Sequence, residues 1–150
     1  MANTIALQAY RDTRIKTASG GQLIIMLYDG AVKKMDNALE LLRLNSGSKK
    51  NPSRIEEIGK SILKTQEIIT ELMVSLDFEQ GGEIAKNLFA LYTWFNKEIL
   101  EAHVSHDIAK LKMVRDMIDD LRKTWVETVA RTQALEKRSP VPAAGLNIAG

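Results

Sequence analysis

A chain of 150 residues that is 45% hydrophobic and 27% charged is sized and composed for one folded domain with a real core. A formal net charge of +2 is too small to argue for a nucleic-acid partner, and the absence of cysteine excludes a disulfide framework or a thiolate metal site. With 5% aromatic residues and three prolines, the composition favours helices over a sandwich or barrel.

Residues 1–18 carry Ile5, Leu7, Tyr10 and Ile15 among polar neighbours. The pattern suits an arm or a short helix, and Ile5, Leu7 and Tyr10 together could dock on a groove. Met1–Leu7 lacks the charged-then-apolar order of a signal peptide. Ser19 and Gln22 then form a candidate capping box. The helix they open is expected to run to about Asn45, with Ile24, Leu27, Tyr28, Ala31, Met35, Ala38 and Leu42 on its inner face. Gly30 inside it costs up to about 1 kcal/mol against alanine, and a close helix approach would explain it.

Asn45–Pro52 reads as a loop, and Ser53-Arg54-Ile55-Glu56 as a second capping box. The helix beyond it places Ile55, Ile58, Ile62, Ile69, Met73 and Leu76 in its seam. Ile68 and Leu72 fall to one side of that seam, and Leu63 and Val74 to the other. After a turn at Asp77–Gly82, a third helix opens at the Gly81-Gly82 pair and runs to about Ala102. Its core stripe is Ile84, Leu88, Leu91, Tyr92, Phe95, Ile99 and Ala102. Phe89 and Leu100 lie on a second side and Trp94 on a third. A helix apolar nearly all round is either buried on every side or made to meet a partner. His103–Asp107 forms the next turn, with Ser105 or Asp107 as cap. The fourth helix aligns Leu111, Val114, Ile118, Leu121, Trp125 and Val129. The pattern thins after Thr132, and Ser139–Gly145, with two prolines, cannot continue a helix.

The expected fold is all-α: an antiparallel four-helix bundle over 19–132, an N-terminal arm at 1–18 and a flexible tail at 133–150. The surplus apolar residues suggest a groove for a guest helix. Its candidates are Ile68, Leu72 and Leu76 on the second helix and Phe89, Tyr92 and Phe95 on the third. Asn87 and Asn96 are surface amides or donors and acceptors for the guest.

Catalytic signatures are missing. Gly20-Gly21 and Gly81-Gly82 lack the spacing of a phosphate loop, and no Glu-x-x-His pair is present. His103 and His106 are expected to be solvated turn residues. No catalytic residue, metal ligand or cofactor is therefore assigned. No run reaches the roughly 18 apolar residues of a membrane span, so direct membrane insertion is not expected.

Several blocks together resemble one family. They are Tyr10, Thr17-Ala18-Ser19, Leu23–Ala31, Leu72-Met73-Val74-Ser75-Leu76-Asp77, Gly81–Tyr92 and Leu121-Arg122-Lys123-Thr124-Trp125. In order and spacing the chain is similar to the flagellar export chaperone FliS family over about 10–130. Where that family commonly has Pro-Glu after Thr17-Ala18-Ser19, this chain has Gly20-Gly21. The resemblance implies a cytoplasmic bundle without catalysis that binds the C-terminal segment of flagellin. That segment would be disordered when free and largely helical when bound. The N-terminal region, with Tyr10, would cover part of the groove when no client is present. The family also implies docking on the flagellar export gate protein. The rival expectation is a structural bundle that self-associates through the same apolar faces.

Overall fold

The computed structural model describes residues 20–47 and 50–138, which form four helices: α1 (Gly20–Leu44), α2 (Pro52–Val74), α3 (Phe78–Ser105) and α4 (Ile108–Arg138). Each of α1 and α3 packs against both α2 and α4, so α1 and α3 stand on one diagonal of a square. The short turns make consecutive helices run antiparallel. The expected all-α four-helix bundle is the observed fold. Residues 1–19, with Tyr10 and the expected cap Ser19, lie outside the described residues, as does 139–150.

Two helices follow their apolar periodicity. On α1, Leu27, Tyr28, Ala31, Met35, Ala38 and Leu42 are all buried, while Lys33, Lys34, Asp36 and Glu40 are exposed. On α4, Leu111, Val114, Ile118 and Val129 are buried in one stripe. A Cβ at Gly30 would stand 3.3 Å from Cδ1 of Ile68, which is the close α1–α2 approach the glycine suggested. Across the outer face, Arg115 of α4 grips the Asp36 carboxylate of α1 with two hydrogen bonds, at 2.7 and 3.2 Å. That fork fixes the relative height of the two helices better than a single contact would.

The register of α2 differs from the expected one. Its buried side is Ile58, Ser61, Ile62, Thr65, Ile68, Ile69 and Leu72, whereas Ile55 is exposed. Ile68 and Leu72, expected in a groove, are core residues at 6% and 1% exposure. Two polar residues sit in the middle of this stripe and mislead a count of apolar positions. Both are satisfied: Thr65 gives its hydroxyl proton to Ser61 O at 2.8 Å, and Ser61 Oγ receives Asn37 Nδ2 at 2.6 Å.

The helix ends also differ. Asn51, not Ser53, caps α2: its Oδ1 accepts from the Ser53 backbone N–H at 3.0 Å and from the Ser53 hydroxyl at 2.8 Å. Pro52 takes the first helical position, where its missing N–H costs nothing. At the start of α4, Asp107 accepts from Lys110 N at 2.9 Å, and His106 closes α3 in the left-handed conformation at φ 55°. His103 is not a turn residue but part of the last turn of α3. At its far end α4 continues to Arg138, past the Thr132 at which the apolar pattern thins.

Leu72→Asp buries a carboxylate among the helices and is expected to destabilise the bundle by about 3 kcal/mol or more. Urea unfolding followed by circular dichroism measures this, and a variant with an unchanged midpoint would remove Leu72 from the core.

Candidate functional site

The α2–α3 turn builds the end of the bundle that holds the more apolar of two clefts. Ser75 closes α2, with its hydroxyl on Leu72 O at 2.7 Å. Asp77 then caps α3 by accepting from the N–H groups of Glu79 and Gln80, each at 3.0 Å. One turn later the helix breaks at Gly82, which has φ 49° and ψ −124°. A Cβ at position 82 would meet open space, so the backbone conformation and not a lack of room calls for glycine. The Gly81-Gly82 pair is therefore an internal break, where the sequence suggested the helix start. The detached first turn lets Phe78 pack edge-on against Phe89, with ring centres 5.9 Å apart at 62°.

The break takes Ile84 out of the core stripe, and it stands 71% exposed. The buried stripe of α3 is instead Ala85, Tyr92, Phe95, Ile99 and Ala102. Between the α2–α3 turn, α3, the start of α1 and α4 lies a cleft of about 330 Å³. Its apolar lining comes from Leu76 of the turn, Ile84 and Leu88 of α3, Ile24 of α1 and Trp125 of α4, with Tyr92 as the deepest residue. Exposed Ser75, Asp77 and Gln80 give it a polar rim.

Beneath the cleft the Tyr92 hydroxyl meets that of Tyr28 at 2.5 Å, their rings 6.4 Å apart. Burial pushes the Tyr28 phenol above its ordinary pKa, outweighing the opposing effect of the hydrogen bond it shares with Tyr92. Burial, and then the nearby Tyr28, push Tyr92 up further still. Both phenols are therefore neutral at physiological pH. A second cleft, of about 270 Å³, lies at the opposite end of the bundle and includes Leu42, Asn45, Lys50, Ile55 and Ile108. It is the more polar of the two.

The structure divides the residues expected to bind a partner. Ile68, Leu72 and Phe95 are sealed in the core, because the true stripes of α2 and α3 run through them. Tyr92 is also core, at 2% exposure, yet it lines the cleft beside Leu76. Phe89 is 43% exposed and paired with Phe78, and Asn87 is exposed on the outer side of α3. Tyr10 lies outside the described residues. Ile24, Ile84, Leu88 and Trp125, assigned to core stripes from periodicity, prove to be cleft residues. The one signal in the sequence that could have separated Ile84 is its place two residues after a glycine pair.

Residues 1–133 match the family model described as flagellar protein FliS. The chain belongs to the FliS family. The flagellar secretion chaperone FliS of Salmonella typhimurium is 30% identical over 128 residues, covering 85% of this chain and 89% of that protein. The flagellar secretion chaperone FliS of Escherichia coli is 29% identical over 119 residues, 79% of this chain and 82% of that protein. That of Bacillus subtilis is 26% identical over 121 residues, 81% and 84% of the two chains. Of the glycines at 20 and 21, only Gly21 has a packing reason. A Cβ on Gly21 would come within 2.6 Å of Val129 Cγ2, so the glycine lets α1 start flush against α4. Among the described residues no helix is long and apolar enough to cross a membrane.

Gly82→Ala forces a side chain into a backbone region that L-residues avoid and is expected to cost about 1–3 kcal/mol. Urea midpoints of the two proteins measure it, and equal midpoints would mean that the break at position 82 is not held in solution.

Proposed function

We propose that this chain is a cytoplasmic export chaperone for flagellin. It holds the disordered C-terminal segment of flagellin as a helix in the apolar cleft. It thereby prevents premature polymerisation and delivers the client to the flagellar type III export gate. Membership of the FliS family supports the chaperone role, and the relatives compared are all named flagellar secretion chaperones. The observation that carries the binding mode is the cleft itself. It is apolar within, polar at its rim, and continuous in sequence with the exposed surface of α3.

Beyond the cleft residue Ile84, α3 bears four more exposed large hydrophobic residues, Phe78, Phe89, Leu100 and Val104, with Phe89 and Leu100 on a second side of the helix. Burying one such side chain yields roughly 1.5–3 kcal/mol. Ordering a disordered guest offsets about 2–5 kcal/mol or more. One anchor is therefore too few, and three or four make a complex that is firm yet reversible. A cavity of about 330 Å³ takes only a few side chains, so the rest of the guest lies along α3. α1 begins four residues before the cleft residue Ile24, so the N-terminal arm with Tyr10 that precedes it in sequence suits a cover for the cleft between clients. No step of this cycle calls for a nucleotide, a metal or a covalent reaction.

Ile84→Asp and Leu88→Asp are expected to abolish binding of a flagellin C-terminal peptide with the circular dichroism of the free protein unchanged. Calorimetric titration tests this, and full-strength binding by both variants would move the client site away from the cleft.

A further inference from the structure

Two side chains beneath the cleft form a hydrogen-bonded pair whose direction follows from counting protons. Tyr28 is fully buried and does not line the cleft, whereas Tyr92 does. Their hydroxyl groups are 2.5 Å apart. A phenol carries one proton to give. Were Tyr92 to donate to Tyr28, the Tyr28 proton would be buried without an acceptor, which is costly. The arrangement that satisfies both groups runs from Tyr28 to Tyr92. It leaves one O–H unspent, on the residue that lines the cleft.

Water can accept that proton while the cleft is empty. A guest that expels the water must accept it instead or leave it unmet. We propose that the Tyr92 hydroxyl is a selectivity element of the cleft, requiring a neutral acceptor, a side-chain amide or hydroxyl, within the apolar stripe of the seated guest. Carbonyls inside a guest helix are already taken by its own backbone N–H groups, so the acceptor comes from a side chain. A guest carboxylate would be desolvated against apolar walls and would face the Asp77 carboxylate at the rim. A guest lysine or arginine offers no acceptor. The tyrosine pair thus sorts guests by one polar position, which burial of apolar surface alone does not do. This inference rests on the reading that the cleft receives a flagellin segment.

The test is a titration of a flagellin C-terminal peptide into the wild-type chain and into Tyr92→Phe. The peptide is then varied one position at a time, Asn to Leu, Gln to Met, Ser to Ala and Thr to Val. Tyr92→Phe is expected to bind about tenfold more weakly. One peptide variant should lose a similar factor against the wild type and lose nothing further against Tyr92→Phe. Equal affinity of the two proteins, or losses that simply add for every peptide variant, would overturn the inference while leaving the cleft reading intact. A wild-type chain that does not bind the peptide at all would overturn both. If Tyr92→Phe proves unfolded by thermal melt, the peptide series against the wild type decides. A single strongly weakened variant supports the inference, and a series with none contradicts it.

Discussion

Tyr28 of α1 and Tyr92 of α3 meet hydroxyl to hydroxyl across the diagonal of the square, where the two backbones do not pack closely. Two long aromatic side chains fill that span, and each supplies a large apolar body together with one polar tip. In a core of this kind a phenol is tolerable only if its tip is paired. The pairing holds the diagonal at one width and places a polar floor under the end of the bundle that stays open. Phe95 extends the same aromatic contact further into the core, its ring 6.4 Å from that of Tyr92.

The opening itself comes from a backbone break. An unbroken α3 would carry its stripe through Ile84 toward the α2–α3 turn, and the end of the square would close. Asp77 secures the first turn and Gly82 redirects it, so Ile84 and Phe78 face outward. Trp125 and Ile24 then pack on the core with one side and wall the cleft with the other. Surface left bare in this way costs a soluble chain some solubility, and such patches usually mark a binding face. In the function we propose, burial of a guest along this face gives the patch its purpose.

The fold was legible because α1 and α4 announce themselves. Their inner faces repeat at helical spacing without a polar interruption, and both are buried as expected except at Ile24, Leu121 and Trp125. α2 was not legible to the same degree, since Ser61 and Thr65 occupy its core face and are hidden from a reading that counts apolar residues. The true seam therefore passes through Ile68 and Leu72, which had been reserved for a partner. On α3 the glycine pair was visible but its sense was not. A pair of glycines can start a helix or break one, and only the packing of Phe78 on Phe89 and the φ of Gly82 decide. The cleft residues could not be separated from core residues, because a cleft exists where helices fail to meet. Periodicity reports the face of one helix and says nothing of that gap.

Methyl and indole NMR spectra during titration with a flagellin C-terminal peptide locate the guest without altering the protein. The methyl signals of Ile24 and Ile84 and the indole N–H of Trp125 should move together and saturate at one peptide per chain. Those of Ile55 and Ile108, at the opposite end, should stay in place. Shifts confined to Ile55 and Ile108, or none at Ile84 and Trp125 under saturating peptide, would contradict a guest site at the α2–α3 end of the bundle.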